Sequence, residues 1–147
     1  MGISRYRSLE DTPYNFTGAA GKVQRVNAGA TALENERVGV AHVKILTDAT
    51  TIAVDASLGD LFTVILGGNR TMGAPTNPVN GQKIMFKIEQ DGTGSRTLSW
   101  NAIFRFSTDI PAPTITTASG DYDYVGFIYN STDTKWDCIA LVQGFAS

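Results

Sequence analysis

QKIMFKIE (82–89), followed directly by QDGTGSRTLSW (90–100), sets two readings side by side. In the first stretch Ile84, Phe86 and Ile88 share one parity while Met85, Lys87 and Glu89 share the other, with Lys83 near the start. Alternation of that kind marks a half-buried β-strand. The second stretch is glycine-spaced and carries Ser and Arg, the ingredients of a loop that cradles phosphate. A dinucleotide loop, however, needs G-x-G-x-x-G opening a helix, and a P-loop needs Gly-Lys-Ser/Thr at a helix start. Gly92-Thr93-Gly94 has no third glycine at the required offset, and RTLSW (96–100) continues as β-type sequence. With no helix N-terminus behind the loop, the dipole that would hold an anion is missing. Asp91-Gly92 between two β-type runs predicts a hairpin turn instead, its glycines supplying positive φ.

The same β-type character extends outward in both directions. HVKILT (42–47), TTIAVD (50–55), LFTVIL (61–66), IFRF (103–106), DYDYVGFIYN (121–130) and KWDCIALVQGF (135–145) are rich in β-branched and aromatic residues. Turn residues separate them: Gly59-Asp60, Gly67-Gly68-Asn69, the Pro75 to Gly81 loop, Pro111 to Pro113, and Asn130 to Thr134. Short strands at this spacing, with no long helical window, predict an all-β fold. We expect an antiparallel β-sandwich or jelly-roll-like domain over residues 41–147, a small barrel being the alternative. In YVGFIYN and WDCIALV both parities carry apolar groups, which predicts a central hairpin covered on both sides, by the second sheet and by a neighbouring subunit.

Residues 1–40 are different: polar, rich in Gly and Ala up to about Glu36, and without sustained periodicity. Such a stretch cannot easily bury itself alone. It reads equally as a frayed tail or as an extended N-terminal arm that orders against another subunit.

Composition narrows the function classes. A chain of 147 residues is long enough for an independent core without metal or disulfide. The single cysteine, Cys138, can form no intrachain bridge, which sets aside the disulfide-rich secreted class. A formal charge of −2 with interspersed signs lacks the basic excess that nucleic acid demands. Apolar runs such as Phe62 to Leu66 fall far short of the ~20 residues of a membrane-spanning helix. MGISRYRSLED has no apolar core of a secretory signal, so the sequons at Asn15, Asn69 and Asn130 read as chance.

Candidate chemistry is thin. His42 is the lone histidine and begins a predicted strand; Cys138 sits in the most apolar strand, as a small buried hydrophobe would. Neither a nucleophile–base pair nor a zinc site can be assembled from one of each, so no enzyme, catalytic residue, cofactor or metal is expected. Asp121 and Asp123 alternate with Tyr122 and Tyr124, and we expect the two acids to be solvated charges at a strand end. A calcium site from Asp121, Asp123 and Asp133 lacks any fixed ligand spacing. Trp100, Trp136, Tyr122, Tyr124 and Tyr129 supply enough rings for a sugar platform, yet lie in apolar runs where rings serve more often as core or interface anchors.

Two stretches resemble segments of tailed-bacteriophage structural proteins. GAAGKVQRVNAGATALE (18–34) is similar to a G-x-A-G-K-x-x-R-V-N-x-x-G-T-x-L-E linker of tail and fibre proteins, departing from it at Ala30, which stands where glycine would precede Thr31. NGQKIMFKIEQDGTGSRTLSWNAIFRF (80–106) and PTITTASGDYDYVGFIYNSTDTKWDCIALVQGF (113–145) are similar to a small virion β-domain with the pattern I-x-Q-D-G-x-G-x-R-x-L-x-W, a Pro-Thr segment, then an aromatic-rich hairpin. The resemblance implies a non-catalytic virion protein. Size and layout, with no shaft or repeats, favour a capsid decoration (cement) protein on the capsid surface, made in the bacterial cytoplasm. Its expected partners are the major capsid protein and itself, as a homotrimer, with no nucleic acid or membrane. Arg5, Tyr6, Arg7, Leu9, Tyr14 and Phe16 are the expected arm contacts, since Arg and aromatic residues are enriched at interfaces. The alternatives are a tail or fibre adaptor and a receptor-binding module that takes a glycan.

Overall fold

The computed structural model describes Lys22–Val26, Leu33–Arg37 and residues 41–146, and the chain divides into two units, Met1–Val40 and Ala41–Ser147. In the first unit, β1 (Lys22–Val26) and β2 (Leu33–Arg37) form an antiparallel pair with Lys22 opposite Arg37 and Val26 opposite Leu33. KVQRV and LENER hold too few apolar residues for a period to show, so their sequence alone predicts no strand. The expected contact residues Arg5, Tyr6, Arg7, Leu9, Tyr14 and Phe16, and the sequon at Asn15, lie outside the described residues.

The second unit is all-β apart from one 3-10 turn, Ala56–Leu58. Asp55 caps that turn, its Oδ1 accepting from Ser57 N at 3.0 Å and Ser57 Oγ at 2.7 Å. The strands are β3 (Val43–Ile45), β4 (Thr51–Ile52), β5 (Leu61–Leu66), β6 (Arg70–Met72), β7 (Lys83–Gln90), β8 (Leu98–Trp100), β9 (Phe104–Arg105), β10 (Tyr122–Asn130) and β11 (Lys135–Phe145). From β3 to β8 the chain alternates between two sheets. β3, β5 and β7 lie side by side and parallel in one, β4, β6 and β8 likewise in the other. Each strand pair is therefore a rung, and three rungs stack. β10 then pairs antiparallel with β7, β11 antiparallel with β10, and β9 parallel with β11, completing a six-stranded sheet in the order β3-β5-β7-β10-β11-β9.

This corrects the expected antiparallel architecture: both sheets contain parallel pairs, and the smaller one is wholly parallel. Alternation fixes which face a side chain takes but not the direction of the neighbouring strand. The Asp91-Gly92 turn is corrected likewise. β7 and β8 belong to different sheets, so the turn carries the chain from one sheet to the other rather than folding a hairpin.

Both sheets feed one core. Phe62, Val64 and Leu66 of β5, Ile84, Phe86 and Ile88 of β7, and Val125 and Phe127 of β10 join Ile52, Met72 and Leu98 of the smaller sheet in a single buried cluster. Its centre is aromatic. The Phe104 and Phe127 rings stand 4.8 Å apart, and Trp100 lies 5.1 Å from Phe104 and 5.3 Å from Phe127. Tilted and edge-on pairs of this kind add about 0.5–1.5 kcal/mol each beyond the area they bury. Trp136 is fully buried against Tyr129, at 5.0 Å, so the two tryptophans act as anchors and not as platforms.

Candidate functional site

The glycine-spaced loop is closed on itself. Gln90 is buried, and its amide is saturated: Oε1 accepts from Arg96 N at 2.8 Å, while Nε2 donates to Arg96 O at 3.0 Å and Thr116 O at 2.7 Å. Asp91 Oδ1 accepts from Thr93 N and Gly94 N at 3.0 and 2.9 Å, and Oδ2 accepts from Arg96 Nη2 at 2.7 Å and Nε at 3.1 Å. The groups that would greet a phosphate, the loop amides and the arginine, are thus already engaged by Asp91. Q-D-G-x-G-x-R reads as a clasp that fixes the crossing from β7 to β8.

Asp123 corrects a third expectation. It is 1% exposed, not a solvated strand-end charge. Its Oδ2 accepts from Thr116 N at 2.7 Å and Gln143 Nε2 at 3.2 Å, and its Oδ1 from Thr116 Oγ1 at 2.6 Å and Gly144 N at 2.9 Å. The carboxylate therefore ties the 114–117 segment and the end of β11 to β10. Asp133 lies elsewhere, paired with Arg105 at 2.8 Å, so the three acids do not assemble. Among the described residues, no group of three or more His, Cys, Asp or Glu side chains could hold a metal ion. His42 is exposed and beside Asp60, with Nδ1 3.4 Å from Oδ2. Burial pushes the Cys138 thiol up, away from the nucleophilic thiolate, and its Sγ donates to Ala140 O.

Three arginines clamp carboxylates at the surface: Arg70 on Asp48, Arg96 on Asp91, and Arg105 on both Asp133 and Asp137. Hydrogen bonds from those guanidiniums hold Asp48, Asp91 and Asp137 below the ordinary carboxyl value of 3.8. A carboxyl whose pKa is lower folded than unfolded contributes fully above its unfolded value, and the contribution is lost as pH falls through the folded one. Melting temperature is accordingly expected to stay level from neutral to about pH 5 and to drop below about pH 4. In an Asp48→Asn, Asp91→Asn, Asp137→Asn variant the acid drop should be shallower; a drop of unchanged steepness would remove these clamps as its cause.

What remains is the outer face of the six-stranded sheet. Opposite parity to the core places Leu61, Thr63 and Ile65 of β5, Met85, Lys87 and Glu89 of β7, and Tyr122, Tyr124 and Ile128 of β10 on this face, with Val142 and Phe145 of β11 beside the tyrosines. Tyr122 and Phe145 stack at 5.3 Å and 10°, and Tyr124 stands edge-on to both, at 5.7 and 5.6 Å. Lys87 Nζ lies 4.1 Å over the Tyr122 ring and 2.7 Å from Glu89 Oε2, so the charges here neutralise one another. Lys87 Nζ and the Phe145 ring thus both lie against the Tyr122 ring. Ile65, Val142 and Ile139 remain 55%, 51% and 49% exposed. The central hairpin is thus covered by the core on one side, while its other side presents apolar surface. An exposed apolar sheet face with internally paired charges is suited to contact with another protein surface.

No protein-family model and no curated protein matches the chain. Among solved structures, it is similar to a chain of a chaperone-substrate complex, with 19% identity and a TM-score of 0.44, over 81% of this chain and 21% of that one.

Proposed function

We propose that this chain is a structural protein of a tailed-bacteriophage virion: a capsid decoration protein that assembles on itself, as a trimer, and on the major capsid protein. The observation that carries the reading is the apolar outer face around Tyr122, Tyr124, Val142 and Phe145. In addition, the motif that resembles virion β-domains consists, in this chain, of residues with structural work: Gln90, Asp91, Gly94 and Arg96 form the clasp, and Trp100 packs against the core. The two sheets about one core are read as a sandwich built on stacked rungs. Decoration acts through contact area, many modest interfaces resisting internal pressure together. The segment holding Arg5, Tyr6, Arg7, Leu9, Tyr14 and Phe16 is assigned to the capsid side.

The experiment is the mass of the protein in solution. Wild type is expected at three times the 15.7 kDa chain mass. Val142→Asp places a charge where the side chain is half exposed, so the variant should keep a folded, strand-rich far-UV spectrum yet yield monomers, losing only the stability that association adds. A monomeric wild type, or a trimer indifferent to Val142→Asp, would remove the outer face from the assembly.

A further inference from the structure

NPVNG (77–81) holds the chain's one Asn-Gly pair, Asn80-Gly81, in the loop that leads into β7. Both residues are exposed. Asparagine followed by glycine is the pair in which the next backbone nitrogen reaches the side-chain amide most readily, because glycine has no Cβ in the way. At Gly81 φ is +76°, and nothing lies within 4 Å of where a Cβ would stand. Asn80 Oδ1 accepts from Ser131 N at 3.1 Å, a backbone donor aimed at the oxygen that gains charge when a nucleophile adds to the amide. The nucleophile itself is held back. Gly81 N donates to Tyr129 O at 2.9 Å, just beyond Ile128 opposite Lys83, the last registered pair of β10 with β7. That bond closes the end of a ladder, where opening costs least. Gln82 braces the loop: its Oε1 accepts from Val79 N at 3.0 Å, and its Nε2 donates to Ala56 O at 2.6 Å in the 3-10 turn.

We propose that Asn80 is a modification site at which the chain deamidates itself, gated by the Gly81–Tyr129 hydrogen bond. When that bond opens, Gly81 N loses its proton to solvent and adds to Asn80 Cγ; the N–Cγ bond forms, the Cγ–Nδ2 bond breaks, and the amide nitrogen leaves as ammonia. Water then opens the cyclic succinimide at one carbonyl to give aspartate, or at the other to give isoaspartate. Both products add a negative charge. Aspartate keeps an oxygen for Ser131 N, whereas isoaspartate runs the backbone through Cγ and leaves its carboxylate directly on Cα, one methylene short of that donor. The β10–β11 turn thereby loses a tie as the protein ages. The other asparagines of the Ala41–Ser147 unit lack this combination. Pro78, after Asn77, has no N–H. Arg70 N and Ser131 N, which follow Asn69 and Asn130, are engaged by Thr97 O and Asn80 Oδ1. Asn101 precedes Ala102, whose Cβ crowds the attack. The site is independent of the outer-face assembly.

The test incubates the purified full chain at neutral pH, both folded and in urea, and follows each asparagine by peptide mapping that separates the asparagine, aspartate and isoaspartate forms. In the folded protein Asn80 is expected to convert about tenfold or more faster than Asn101 or Asn130, and about tenfold or more slower than it does in urea. Gln82→Ala, which removes the brace, should speed conversion at Asn80 in the folded protein by about threefold or more. Raising the pH should speed it too, since the attacking nitrogen must lose its proton. If the Gln82→Ala variant fails to fold, the comparison of folded and unfolded wild type still decides. No conversion at Asn80 in the folded protein over the time in which the unfolded chain converts fully, or conversion at Asn101 as fast as at Asn80, would overturn the site. Equal rates folded and in urea, or a folded Gln82→Ala variant no faster than wild type, would overturn the gate.

Discussion

Asp123→Ala is expected to cost the Ala41–Ser147 unit about 3 kcal/mol of unfolding free energy, because it strands donors that the fold cannot redirect. Four donors converge on this carboxylate: Thr116 N, Thr116 Oγ1, Gln143 Nε2 and Gly144 N. Each unsatisfied buried donor costs about 1–3 kcal/mol, and the outer ones recover part of that from water. Asp123→Asn is the sharper comparison. It preserves shape, but one acceptor becomes an NH₂ facing donors, so it should lose roughly half as much as alanine. Urea unfolding reads both, as a shift in midpoint at unchanged slope. A loss under about 1 kcal/mol for Asp123→Ala would mean that the carboxylate is not the tie between β10, the 114–117 segment and β11.

Gly94→Ala is expected to be comparably damaging, about 3 kcal/mol, for a backbone reason. Gly94 sits at φ +71°, and a Cβ there would lie 2.7 Å from Thr117 O and 2.9 Å from Ser119 N, both fixed backbone atoms. Gly92, two residues away, is the internal control. Its φ is not left-handed and a Cβ would meet nothing within 4 Å, so Gly92→Ala should change stability by less than about 0.5 kcal/mol. Equal effects at the two positions would contradict the clasp geometry of the loop.

Much of the strand set was legible because period 2 is strong where one face is buried. LFTVIL and KWDCIALVQGF coincide with β5 and β11, and the parity of QKIMFKIE places Ile84, Phe86 and Ile88 in the core. β6 was not legible: Arg70–Met72 is three residues long and follows directly on the Gly67-Gly68-Asn69 turn. Strand direction was not legible either, since parallel rungs and antiparallel hairpins have the same alternation. Asp123 shows the limit most clearly. Alternation sets it opposite Tyr122 and Tyr124 and suggests a solvated strand-end charge; in the fold the acid is inside, satisfied by donors from the 114–117 segment and the end of β11. The outer face was half legible. Apolar groups at both parities of β10 and β11 pointed to a second covered side, but which side the core would take depends on how the rungs stack.

The central claim is that this chain is a decoration protein of a virion head. Its most direct test is quantitative mass spectrometry of purified particles of a phage whose genome carries this sequence, comparing the copy number of this chain with that of the major capsid protein. The account predicts copies on the scale of the capsid protein itself, released together with loss of head stability. A handful of copies per particle would place the chain in the tail, and its absence from purified particles would contradict the account.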